Sequence, residues 1–136
     1  MTVVVDADFV LALARRRHPR HREAVALVET LDEDLVTSPL ALADIDRAVG
    51  EHIGGDAQHA VRRDFERGAY AVRWWADALK ETLGIARRQP ALGLTTASLV
   101  ALAGRVNTRR IATFDEQFRT LTTPDGEAFV VLPADR

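Results

Sequence analysis

Apolar and polar positions along the chain alternate between two periods. Near the start, Val3-Val4-Val5 runs straight into Asp6-Ala7-Asp8. Three β-branched residues with no polar alternation predict a buried strand of a parallel sheet. Phe9–Ala14 predicts a short helix, Pro19 punctuates, and Ala24, Leu27, Val28 and Leu31 repeat at helical spacing in a second helix from about His21 to Leu31. Leu35-Val36-Thr37 predicts a short strand, and Ser38-Pro39 an N-cap with first-turn proline for a helix that turns Leu42, Ile45 and Val49 inward. Gly54-Gly55 ends that helix, and Asp56 is placed to cap the next, which runs to about Arg67 before Gly68. Ala69–Val72 predicts a third strand, followed by a long helix through Trp74, Leu79, Leu83 and Ile85 to a stop near Pro90. Leu94 to Arg105 is a further helix, and Arg110–Thr113 and Phe129–Leu132 are the fourth and fifth strands. The alternation implies a three-layer α/β/α sandwich with a mainly parallel five-stranded sheet, one domain over residues 1–136.

Composition narrows the chemistry. The 136 residues contain no cysteine, which excludes a disulfide framework, a thiol nucleophile and a thiolate zinc site. No apolar stretch approaches the roughly 20 residues that span a bilayer, and an acidic residue stands near the N-terminus where a signal peptide is basic, so a soluble cytoplasmic protein without membrane contact is expected. A net charge of -2 offers no global attraction to nucleic acid. Local attraction is another matter, because positions 15–22 hold five arginines while the whole chain has a single lysine, Lys80.

The acids lie near predicted element ends. Asp6 falls at the carboxyl end of the first strand, the edge where open α/β sheets bind ligands; capping of the following helix is the plainer reading of Asp6 or Asp8. Asp44 lies about one turn into the helix after the second strand, Thr96 near the start of the helix at Leu94, and Asp115 after the fourth strand. Converging carboxylates repel by about 4 kcal/mol per close pair at an effective dielectric near 20. A hard divalent cation removes that penalty, and oxygen-only donors favour Mg²⁺ or Mn²⁺ over zinc. His18 and His21 have no third ligand and read as surface residues.

In order and spacing, Val3–Ala12, Thr37–Asp46, Leu92–Ala103, Arg110–Phe118 and Phe129–Pro133 together resemble PIN-domain proteins, specifically the VapC-type toxins of bacterial toxin–antitoxin pairs. The resemblance implies a PIN-like fold and a metal-dependent endoribonuclease with its acids in a cleft at the carboxyl ends of the strands. Asp6 matches the family's first acid, Asp44 stands in the place of its second, usually a glutamate, and Asp115 matches the late aspartate. The third acid falls on Thr96, where this chain departs from the pattern; a threonine hydroxyl can still ligate a hard cation or hold its water, and its plainer role is a helix N-cap. With one charge missing, a single Mg²⁺ or Mn²⁺ ion is expected. Asp8, where the family commonly has serine or asparagine, compensates if the turn after the strand brings it to Asp6. Asp46 points away from Asp44 on the helix and is expected to be solvated or structural.

Arg15, Arg16 and Arg17, with Arg109 and Arg110, are the expected RNA phosphate contacts. The resemblance also implies a small VapB-type antitoxin with its C-terminal segment across the cleft, and a toxin that forms a homodimer. Trp74 and Trp75, adjacent on a predicted helix and so about 100 degrees apart, cannot both face one core, which leaves one for a partner. A degenerate PIN domain that binds RNA or a partner without turnover is the first alternative. A haloacid-dehalogenase-like phosphatase is the second, with Asp6 as nucleophile, Asp8 as acid/base, and Thr37 or Ser38, Lys80 and Asp56 in the later roles. Against it, no Gly-Thr follows Asp8, the chain is short, and Thr113-Phe114-Asp115 is left unexplained.

Overall fold

The computed structural model describes residues 1–136. Five strands, β1 (Thr2–Val5), β2 (Asp34–Thr37), β3 (Ala71–Val72), β4 (Arg110–Ala112) and β5 (Val130–Leu132), form one sheet in the order β3-β2-β1-β4-β5, with every neighbouring pair parallel. The valine block is therefore the central strand, and its lack of alternation has a physical cause: both faces are covered. Val4, Val36, Ile111 and Val131 face one layer, where they meet α5 (Ala78–Arg88) and α6 (Leu94–Arg105). Val3, Val5, Ala112 and Leu132 face the other, against α1 (Ala7–Ala14), α2 (His21–Thr30) and α4 (Gly55–Glu66). Between the layers runs α3 (Pro39–His52), which gives Ala41 to the first and Ile45 and Val49 to the second.

Pairing register positions the site. Val4 lies opposite Val36 and Val5 opposite Ala112, so the residues that follow each strand, Asp6, Ser38 and Thr113, come together at one end of the sheet. No helix is long and apolar enough to cross a membrane.

Several expectations need correction. The chain continues along the sheet edge past β3, where the Arg73 N–H donates to the Thr37 carbonyl at 3.0 Å, so Trp74 and Trp75 lie in the connection before α5 instead of on a long helix. Trp75 packs partly against the core, while Trp74 is exposed. On α5 the buried residues are Ala78, Thr82 and Ile85, and Leu79 and Leu83 face outward at 57% and 43% exposure. The cap of α4 is Gly54, at φ 138 where a side chain is strained, and Asp56 lies in the first turn.

Candidate active site

Asp6 directly follows β1 and caps α1, the plainer of the two readings its position allowed. Its Oδ1 accepts the Phe9 N–H at 2.9 Å, and its Oδ2 accepts the Thr113 hydroxyl. Thr113 comes from the end of β4, and its oxygen also accepts the Asp115 N–H at 2.9 Å. Asp115 in turn caps a short 3-10 helix by accepting from the Gln117 N–H at 2.9 Å. One threonine thus ties two acids.

Electrostatics at this end of the sheet are strained. Burial pushes the Asp6 carboxyl up from 3.8 to about 7; hydrogen bonds from Thr113 and Phe9 oppose that rise, and the charges of Asp8 and Asp115 add to it. Asp8, exposed in the first turn of α1, is also raised, by partial desolvation and by Asp115, with His18 pulling the other way. The turn therefore does bring Asp8 into the field of Asp6 and Asp115.

Asp44 lies on α3. Its Oδ2 accepts the Thr95 hydroxyl at 2.7 Å and its Oδ1 accepts an Arg47 N–H at 2.9 Å. Thr37 donates to the Val5 carbonyl at 2.7 Å, Ser38 and Ser98 share a hydrogen bond at 2.7 Å, and Ser98 donates to the Thr95 carbonyl at 2.6 Å. This chain of hydroxyls locks the N-termini of α3 and α6 together beside the carboxyl end of β1. Thr96 is half-buried in the first turn of α6, and the N-cap is Gly93, so the capping role expected of Thr96 is not the one it has. Its neighbour Thr95 is the residue in contact with an acid, and reading along the sequence missed it. Thr113 was missed as well, although its place after a strand and two residues before Asp115 was a usable signal.

Two of the expected positions, Arg109 and Arg110, leave the picture. Arg110 is at the amino end of β4, the opposite end of the sheet, where its Nε donates to Glu33 at 2.6 Å; Arg109 precedes it and lies 3.9 Å from Glu127. Neither belongs to the acidic site, because strand direction, not proximity in sequence to Asp115, sets the distance. Asp46 is structural, as expected, held by Arg62 at 2.6 Å. Arg15, Arg16 and Arg17 are exposed in the turn after α1, and none is in an ion pair. The phosphatase alternative also loses its support: Lys80 lines a groove on α5 with Asp77, Glu81 and Arg87, and Asp56 is exposed on α4. His21 hydrogen-bonds the Ala12 carbonyl at 2.8 Å and His18 the Arg20 N–H at 3.0 Å, neither as part of a metal set.

No three acidic or histidine side chains already enclose a point where an ion would sit. The donors nonetheless fit a small hard cation, since Mg²⁺ commonly takes only one or two carboxylates and keeps several waters. Asp6 supplies the strongest indication, being a buried carboxylate raised further by two neighbouring acids, a repulsion that a bound cation would relieve.

The PIN domain matches residues 3–123 of the chain. Ribonuclease VapC26 of Mycobacterium tuberculosis is 29% identical over 135 residues, which cover 96% of this chain and 100% of that protein. Among solved structures, Mycobacterium tuberculosis VapC20, a sarcin-ricin loop cleaving toxin, superposes with a TM-score of 0.77 at 20% identity over 83% of this chain and 89% of its own. VapBC2 from Rickettsia felis, bound to a DNA fragment from its promoter, does so with a TM-score of 0.69 at 12% identity over 96% and 97%. With a domain match over nearly its whole length, the chain belongs to the PIN-domain family.

Proposed function

We propose that this chain is the toxin of a toxin–antitoxin pair, an endoribonuclease that cuts RNA phosphodiesters with one Mg²⁺ or Mn²⁺ ion. The observation that carries the reading is Asp6, buried at the end of the central strand, fixed by Thr113 and crowded by Asp8 and Asp115. Full-length similarity to a ribonuclease supports it.

Asp6 and Asp115, both oriented through Thr113, would supply carboxylates to the ion. Asp44 on α3, kept in orientation by Thr95 and Arg47, would be a further ligand. Asp8 adds the charge that Thr96 lacks, and the Thr96 hydroxyl is left to hold a water. Once bound, a divalent cation there supplies Lewis acidity toward the phosphodiester and toward water. Arg15, Arg16 and Arg17 bind flanking phosphates. A small antitoxin covers the cleft with its C-terminal segment, and exposed Trp74, Leu79 and Leu83 give apolar surface for pairing with a second copy.

The test is cleavage of single-stranded or loop RNA in Mn²⁺, with Asp6→Asn as control. Loss of cutting in that variant and in EDTA is expected. Cutting that survives either treatment overturns the reading, and RNA binding without cutting by the parent assigns the chain to the degenerate class.

A further inference from the structure

Beside the acids, Phe114 carries a stack of side chains that the chemistry at Asp6 does not use. The half-buried ring lies in sequence between Thr113, which holds Asp6, and Asp115. The guanidinium carbon of Arg20 lies 4.5 Å over its centroid, the His18 ring 6.4 Å away at 29°, and buried Phe9 5.8 Å away at 30°. Arg20 is held there: its Nε and Nη2 each donate to Glu23 at 2.9 Å, and its backbone N–H donates to the His18 Nδ1 at 3.0 Å. Yet 44% of its side chain remains open to solvent. Holding an arginine in one orientation costs rotamer entropy, and an exposed Arg–Glu pair returns little of it.

What such an arrangement offers is a planar cation that keeps one side free. Unpaired bases stack on aromatic rings and on guanidinium planes, and every base has a face to present. The location is apt, since His18 is near enough to Asp8 to act on its carboxyl, and the exposed Arg15, Arg16 and Arg17 lie in the same turn as Arg20. From this geometry we propose that Arg20, over Phe114 with His18 at its side, is a nucleobase subsite that seats one unpaired base of the RNA at the lip of the acidic cleft. The proposal rests on the endoribonuclease reading for its choice of RNA over a peptide.

The test is fluorescence-anisotropy binding of a fluorescein-labelled single-stranded 12-nucleotide RNA in EDTA at low salt, with cleavage in Mn²⁺ measured in parallel. Arg20→Lys keeps the charge and loses the plane, and is expected to bind about tenfold more weakly. Phe114→Leu keeps an apolar contact, loses the ring and is expected to fall similarly; should it melt early, Arg20→Lys carries the test alone. A 12-unit ribose-phosphate oligomer without bases should bind the parent and Arg20→Lys equally. Equal RNA affinity of parent and Arg20→Lys, an equal loss with the baseless oligomer, or no binding by the parent overturns the subsite. So does an Arg20→Lys protein that keeps RNA affinity but releases the antitoxin, which would assign the surface to a peptide. A parent that binds RNA with lysine-sensitive affinity and cuts nothing removes the nuclease reading and leaves the subsite standing.

Discussion

Asp6 is 7% exposed, and its carboxyl is raised from 3.8 to about 7 by burial, with Asp8 and Asp115 adding to the rise. A carboxyl that holds its proton more tightly when folded contributes stability that is complete below about pH 4 and is lost as pH climbs through 7. A three-unit shift corresponds to about 4 kcal/mol at most. Metal-free protein is therefore expected to melt at lower temperature at pH 8 than at pH 5.5, and Asp6→Asn to stabilise it at pH 8 by about 2 kcal/mol while abolishing cleavage. Asparagine keeps the bond from the Phe9 N–H but can only donate where Asp6 accepts from Thr113, so the Thr113 hydroxyl must turn to another acceptor and the gain from removing the charge is net of that rearrangement. Thermal melts of both proteins across pH decide it, and a destabilised Asp6→Asn at pH 8 refutes the account.

Thr96→Asp, by adding a carboxylate at the missing place, should tighten Mn²⁺ binding about tenfold, Asp8→Asn should weaken it, and the effect of Asp8→Asn should shrink once position 96 is acidic. Calorimetric titration of the single and double variants measures the coupling, and strictly additive effects show that the two positions share no ion. The positions of Asp6, Asp44 and Asp115 beside element ends could be read from sequence because each stands at a fixed offset from a strand or helix end. Thr95 could not be ranked, since a threonine acquires its role only from the acid that folding brings to it, whereas Thr113 had its place two residues before Asp115 to mark it.

At the scale of elements, hydroxyls hold the cleft together. Ser38 caps α3 by accepting the Ala41 N–H at 3.2 Å and also partners Ser98 of α6, buried in both cases. Ser38→Ala removes a cap and one of the two hydrogen bonds of buried Ser98, which keeps its bond to the Thr95 carbonyl, an expected cost of about 2 kcal/mol in urea unfolding. A variant as stable as the parent would show that apolar packing of α3 alone holds the two helices. The element bounds show where periodicity succeeds: Leu94–Arg105 is helical from end to end as read, because its interior is apolar and Gly93 precedes it. Leu79 and Leu83 show where it fails, since small Ala78 and Thr82 take the inward face and hydrophobicity alone ranks the leucines above them.

At the scale of the whole molecule, a net charge of -2 leaves RNA binding to local cations. With Arg15, Arg16 and Arg17 as three phosphate contacts, log affinity for single-stranded RNA should fall with log salt at a slope of about −2, and Arg16→Ala should reduce its magnitude by about 0.7. Arg110→Ala should leave the slope unchanged, since Arg110 faces Glu33 at the other end of the sheet; a change there would return it to the RNA surface. The sequence by itself determined the alternating elements, the central buried strand and the acids at element ends, because these follow from periods and offsets that local chemistry sets. Tertiary structure alone decided which end of the sheet each arginine occupies, that Thr95 and not Thr96 holds Asp44, that Asp6 is raised in pKa by burial, and that Arg20 comes to lie over Phe114. Those are relations between residues 51 to 107 positions apart, and only the tertiary fold brings them within a few ångströms.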